Sequence, residues 1–285
     1  MNITDEIPEP RAIERTADRR FAIGLARAFA GALIFSLPML MTMEMWALGF
    51  YMSNLRLALF LLVVIPLLIG LSHYIGFEET FDWREDGVDA FVAYAVGFVA
   101  SAVALLFFAV IEPGMSFDEI IGKISLQAVP ASIGAMLAQS ELGGNQEEKE
   151  RRKREPGFGG ELFFMAVGAV FLAFNLAPTE EIVLIAHKMT PWHAVGLALV
   201  SLLIMHAFVY ALEFQGQHSI PGGTPFWSEF LRFTVVGYAL ALLTSLFILW
   251  TFGRIDGLAF HEIVVAVIVL AFPAAVGAAA ARLIL

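Results

Sequence analysis

No cysteine occurs anywhere in the 285 residues, so a disulfide framework, a thiolate metal site and a cysteine nucleophile are all excluded. Charge is scarce as well: Asp, Glu, Lys and Arg make up 15% of the chain, and the balance is acidic, at −10. That balance excludes a nucleic-acid partner, whose phosphates need a basic face. The opening "MNITDEIPEPRAIERTADRR" lacks an apolar core followed by a small-residue cleavage site. Residues 1–24 therefore read as a retained tail rather than a signal peptide. Runs of about ten residues with alternating polarity, the mark of a membrane barrel, are missing. The glycine turns "GFGGE" and "IPGGT" are not followed by Gly-Lys-Ser/Thr, and no HExxH occurs, which leaves neither a phosphate loop nor a zinc-protease helix. No cofactor is expected.

What the chain has in abundance is hydrocarbon. Hydrophobic residues make up 59%, with 26 Phe and a mean hydropathy of +0.78, where soluble domains run at about 45–50% apolar. Eight apolar segments recur, at roughly 25–50, 55–77, 88–111, 118–139, 161–186, 192–214, 229–251 and 261–284, each long enough to cross a bilayer as a helix. The fold class is therefore an all-α polytopic membrane protein with eight transmembrane helices, whose first partner is the lipid bilayer. Composition leaves room for a homo-oligomer.

The long polar stretch "SELGGNQEEKERRKREPGFGG" divides the chain into units at 25–140 and 161–285, joined by a charged linker at 141–160. Its Lys149, Arg151, Arg152, Lys153 and Arg154 mark a cytoplasmic loop, and Arg11, Arg15, Arg19 and Arg20 place the amino terminus on the same side. Four crossings separate the two basic clusters, so both termini are cytoplasmic.

The two units resemble each other. "FDEIIGKISLQAVPASIGAMLA" from Phe117 aligns without gaps on "FHEIVVAVIVLAFPAAVGAAAA" from Phe260, with nine of 22 positions identical, Glu119 with Glu262 and Pro130 with Pro273 among them. Earlier in each unit, Thr42 meets Thr179 and Glu44 meets Glu181; Gly97 matches Gly237. With four crossings per unit, the copies are parallel repeats about an axis along the membrane normal.

The segments "GALIFSLPMLMTMEMW" and "NLAPTEEIVLIAHKMTPW" resemble a family of bacterial integral membrane proteins of unknown function. The similarity runs over most of the chain. It implies a multi-pass protein of the bacterial inner membrane and carries no known activity or site residues.

Candidate site residues are the polar groups inside the apolar segments. Taking segments one and five as centred near Met39 and Asn175, a rise of about 1.5 Å per residue puts Glu44 at about 7–8 Å and Glu181 at about 9 Å toward the outer face. Both then sit toward helix C-termini, where the dipole disfavours an anion. Glu119 and Glu262 begin segments that descend from that face, so four glutamates collect at an outer mouth, as carboxylate rings do in cation pathways. Glu119 and Glu262 also suit a helix N-terminus, and Lys123 follows Glu119 at ion-pair spacing. A break at Pro178 among Asn175, Thr179, Glu180 and Glu181, with Thr42 and Glu44 in the matching place, would open carbonyl oxygens beside carboxylates, a set that suits hard cations. A second group, His206, Tyr210 and Glu213, shares one helix face, with His206 near the midplane; Gln127 near the middle and His73 toward the inner side add to it. Such a stripe relays protons or glues helices together.

These residues point to an ion channel or transporter for a small inorganic cation or the proton, with an acidic outer vestibule. Two alternatives stand beside it. "APTEE" resembles the glutamate motif of the CAAX-protease-like membrane family, which would make Glu180 and Glu181 the paired glutamates and His206 a later histidine. That motif continues to an arginine where this chain has Ile185, and no second histidine motif follows. A non-catalytic structural or sensory membrane protein is the other alternative.

Overall fold

The computed structural model describes residues 10–75, 83–142, 157–210 and 230–284. Among them all regular structure is helical, and eight helices are long and apolar enough to cross a membrane. In chain order the α-helices, two short ones among them, are α1 (Pro10–Leu40), the short α2 (Met43–Tyr51), α3 (Asn54–Ile75), α4 (Trp83–Phe107) and α5 (Phe117–Leu142). The second half holds α6 (Phe158–Leu176), the short α7 (Glu181–Lys188), α8 (Pro191–Tyr210), α9 (Val236–Thr251) and α10 (Phe260–Ile284). A π-helical turn, Phe230–Val235, leads into α9.

Segments one and five each prove to be a long helix followed by a short one rather than a single span. The crossing part of α1 is Phe21–Leu40 and that of α6 is Phe158–Leu176. The helix also reaches back to Pro10, inside the stretch read as a tail.

α5 is the inner post of the first half: 83% of its spanning window is buried, and α10 follows at 56%, with every other span below half. α1, α2, α3 and α4 pack on α5, while α6, α7, α8 and α9 pack on α10. Lipid is as apolar as leucine, so helices associate in it through close packing of small residues rather than through a hydrophobic drive. Both posts are rich in alanine, and each carries a glycine at a close crossing. A Cβ on Gly134 would stand 2.6 Å from the Gly31 carbonyl oxygen of α1. A Cβ on Gly277 would run into the Gly168 carbonyl of α6 in the same way.

α4 and α9 also end alike. Ala109 (φ 54°) and Gly253 (φ 69°) take the left-handed conformation. In both helices the next residue's N–H closes a six-residue ring, Val110 to the Leu105 carbonyl and Arg254 to the Leu249 carbonyl, each at 2.9 Å. These ends register α4 on α9 at an offset of 144, which sets Tyr94 on Tyr238 and Ser101 on Ser245. Gly97 and Gly237 do not share a packing position: the first lies against Ala128 and Ser132 of α5, the second against Met165 and Met205.

The halves meet through α3, which touches α6 and α9. Phe60 stacks on Phe174 at 5.1 Å, and the edge of Phe252 closes the trio. At one end Arg56 grips Asp256 with two hydrogen bonds, 2.6 and 2.8 Å, and lies over Trp250.

The crossings give a direct stability test. Gly134→Ala forces a methyl against backbone and destabilises by about 1–3 kcal/mol. Gly196→Ala, where a Cβ meets nothing within 4 Å, stabilises α8 by roughly 0.5–1 kcal/mol through helix propensity. Thermal unfolding in detergent reads both; equal effects would contradict the close crossing.

Candidate functional site

The two helix breaks are the most distinctive polar features. Pro38 lacks an N–H and crowds the turn before it, and α1 stops at Leu40. The carbonyls left at that end would be costly in hydrocarbon without partners. Each finds one. The Leu37 oxygen accepts the Met41 N–H at 3.1 Å, and the Pro38 oxygen accepts the Thr42 hydroxyl at 2.6 Å. Met39 accepts the Thr42 N–H at 3.1 Å and the Gln127 amide at 3.0 Å, while Leu40 accepts the Trp46 indole at 2.8 Å.

The second break is built from different residues to the same end. The Leu176 oxygen accepts the Thr179 N–H at 3.1 Å and its hydroxyl at 2.9 Å. Asn175 turns its amide back onto the Phe171 carbonyl at 2.7 Å. The Pro178 oxygen accepts a short bond from the Arg254 guanidinium. Thr42, Thr179, Asn175 and Gln127 are thus turned onto backbone carbonyls, and a guanidinium already stands where a cation was expected.

The glutamates sit at helix starts. Glu44 is in the first turn of α2 and Glu181 opens α7, so the dipole favours both anions, the reverse of the sequence expectation. The crossing helices end four and five residues before them, which puts both carboxylates past the apolar spans. Glu180, exposed, is the N-cap residue of α7. Its own N–H and Thr179, with the charge of Arg254 adding to them, hold the exposed Glu181 carboxyl below the ordinary carboxylate range. Asp256 is held down in the same direction by Arg56.

Glu119 and Glu262 are engaged locally. Glu119 pairs with Lys123 at 2.7 Å, and its N–H is capped by the Ser116 hydroxyl at 3.2 Å. Glu262 reaches back to the Ala259 N–H at 2.8 Å, half of a capping box, and lies 3.7 Å from His187.

The other group divides between the halves at the opposite end of the bundle. His206 lies four residues before Tyr210, the last described residue of α8. Its Nδ1 lies 3.2 Å from the hydroxyl of Thr234, in the π-helical turn, with Phe230 edge-on. Glu213 and the side chain of Tyr210 lie outside the described residues. His73 faces Asp86 at 3.0 Å. Gln127 stays at mid-depth, and its Oε1 is buried without a partner.

Sequence reading missed three groups: Arg254, Asp86 and the inward face of α9. Arg254 falls just past the assigned end of its segment, and Asp86 just before the assigned start of its own. On α9 and the π-helical turn that leads into it, Thr234, Tyr238 and Ser245 follow at i, i+4 and i+11, and all three are buried. The Tyr238 hydroxyl points toward Ser201, whose own hydroxyl is committed to the Leu197 carbonyl, and neither Tyr238 nor Ser245 closes a hydrogen bond. That spacing was legible; serine and tyrosine simply did not stand out among apolar neighbours.

Among the described residues no three of His, Asp and Glu gather as a metal-holding group. His206 stands fifteen residues along α8 from Pro191, so about 22 Å separates it from the end that carries Glu180 and Glu181.

The model of a family described as "Putative integral membrane protein (DUF2391)" matches residues 24–285. The chain belongs to that family. No curated protein and no solved structure matches it significantly.

The depressed titration of Glu181 gives a signed pH prediction. Its ionised form adds stability above the ordinary value of 4.5, and that contribution is lost only as the pH falls through the lower folded value. The melting difference between wild type and Glu181→Gln therefore stays constant from about neutral pH down to about 5 and closes below 4.5. Closure between about pH 7 and 5 would mean that Thr179 and Arg254 do not hold the carboxylate.

Proposed function

With membership of that membrane family as the premise, we propose that the protein translocates an ion across the bacterial inner membrane and that the ion is the proton. The observation that carries this reading is the inward face of α9. Thr234, Tyr238 and Ser245 run about 16 Å through the span at the helical rise, two of them with unbonded hydroxyls. A buried hydroxyl without a partner costs about 1–3 kcal/mol, and polar groups at membrane depth mark ion and proton routes. Hydroxyls both donate and accept, and His206 at one end carries an imidazole that can bind and release a proton. Gln127 in α5 and Ser101 in α4 add buried polar atoms with no partner in the other half.

Metal cations are served less well by this arrangement. Carbonyls of Pro38, Met39 and Pro178 already hold protein donors, and Lys123 and Arg254 stand beside the acidic ends. Glu44 and Glu181 then act as an outer antenna that concentrates protons at the mouth. Both termini and the basic linker face the cytoplasm in this reading, by the distribution of Lys and Arg.

We infer also that the halves are parallel duplicates. Supporting this are the two Gly–Gly crossings, the two broken helices with Thr and Glu in step, and the matching ends of α4 and α9.

Tyr238→Phe separates function from packing. Removing an unbonded hydroxyl leaves stability unchanged or raises it, within about 1 kcal/mol, whereas a proton route through Tyr238 loses flux at least about tenfold, on the order of 1.4 kcal/mol in barrier. Dissipation of a pH gradient in liposomes, beside a thermal melt of the same variant, measures both. Wild-type liposomes no faster than protein-free ones, or a fully conducting Tyr238→Phe, would contradict the proposal.

A further inference from the structure

The end of α3 and the start of α4 hold a second titratable assembly, separate from α9. The Asp86 side chain is 1% exposed and the His73 ring 23%. A buried carboxylate persists only with a partner that offsets its lost hydration. His73 Nδ1, 3.0 Å from Asp86 Oδ2, supplies one. Ser72 lies between two carboxylates, 3.4 Å from Asp86 Oδ1 and 3.4 Å from Asp89 Oδ2. Trp83, itself 64% exposed, stacks flat on the imidazole, with centroids 4.6 Å apart and planes 6° from parallel.

We propose that His73 and Asp86 form a proton-binding site at the linker end of the first half, and that Trp83 reports its state. The inference deepens the proton-handling reading and rests on it for the proton's purpose. With the ring neutral, Nδ1–H donates to Asp86; a proton taken up from water makes the imidazolium, which keeps that bond, and release to water restores the neutral ring. The proton comes through the partly exposed ring, because Asp86 itself is sealed. Asp89 and Glu85 from α4 add negative charge nearby, and Arg84 precedes them. On its own helix His73 has Tyr74 edge-on at 5.4 Å. α6 meets this end with Phe163 and Phe164, against Tyr74. α5 carries Lys123 and Gln127 on its far and middle turns, and Glu141 at this end has a side chain outside the described ones.

The stacked pair supplies a readout independent of transport, since a protonated imidazole quenches the indole it lies on. The protein has five tryptophans; with Trp46, Trp192, Trp227 and Trp250 replaced by Phe, emission comes from Trp83 alone. If that variant does not fold, the wild-type titration minus that of Trp83→Phe gives the same signal. Emission should fall at least twofold on acidification. The fall should vanish in His73→Gln and be altered in Asp86→Asn, which removes the carboxylate beside Nδ1. Flat Trp83 emission, or the same transition in His73→Gln, overturns the proposal. The liposome assay is run in parallel: a His73-dependent transition without proton flux supports the site and sinks the transport reading. Flux beside a flat Trp83 signal does the reverse.

Discussion

Every backbone carbonyl that a broken helix frees inside a membrane protein must find a donor within the protein, and the rest of this structure depends on how that demand is met. α1 and α6 both stop short, each just before a Thr-containing turn and a glutamate. In hydrocarbon, an open helix end would cost several kcal/mol per unsatisfied group. Here Thr42, Gln127 and Trp46 cover the first end, and Thr179 and Arg254 cover the second. α2 and α7 then begin afresh beyond the spans, and their first turns receive the carboxylates of Glu44 and Glu181.

The same solution ties the breaks to the core. Gln127 belongs to α5, the most buried span, so the first break is pinned to the inner post of its half. Arg254 follows the left-handed turn that ends α9, and Asp256, two residues on, is held by Arg56 from the other half. A change at this corner is thereby linked to the contact between halves, which also rests on aromatic packing around Phe60, Tyr74 and Phe35. At the opposite end, His73 and His206 each bond a polar residue on the helix that follows in the chain, Asp86 and Thr234.

Much of the fold was legible because membrane helices obey few rules. Length, hydropathy and the basic linker located eight spans, and recurrent Pro, Gly and Glu suggested two similar halves. The breaks were harder to read. Pro38 and Pro178 signalled them, but the apolar run continues through α2, so the centre of segment one was placed at Met39 and Glu44 appeared deep. Partners could not be read at all, since Gln127 lies 88 residues from Met39 and Arg254 lies 76 from Pro178. Of the site residues, Glu119 with Lys123 was readable because spacing alone decides a helix ion pair. His206 with Thr234 was not, because a π-helical turn shifts the register of the start of segment seven.

Cysteine labelling tests the central claim most directly, and the chain has no cysteine of its own to remove. The account predicts that Glu44→Cys and Glu181→Cys react quickly with a membrane-impermeant maleimide added to intact cells. Both should label from the outer face, at comparable rates, while Leu37→Cys and Asn175→Cys, within the spans, react slowly. Labelling of positions 44 and 181 from opposite faces would contradict parallel halves. Protection of both, at the rate of positions 37 and 175, would put the glutamates back in hydrocarbon and contradict the capped breaks.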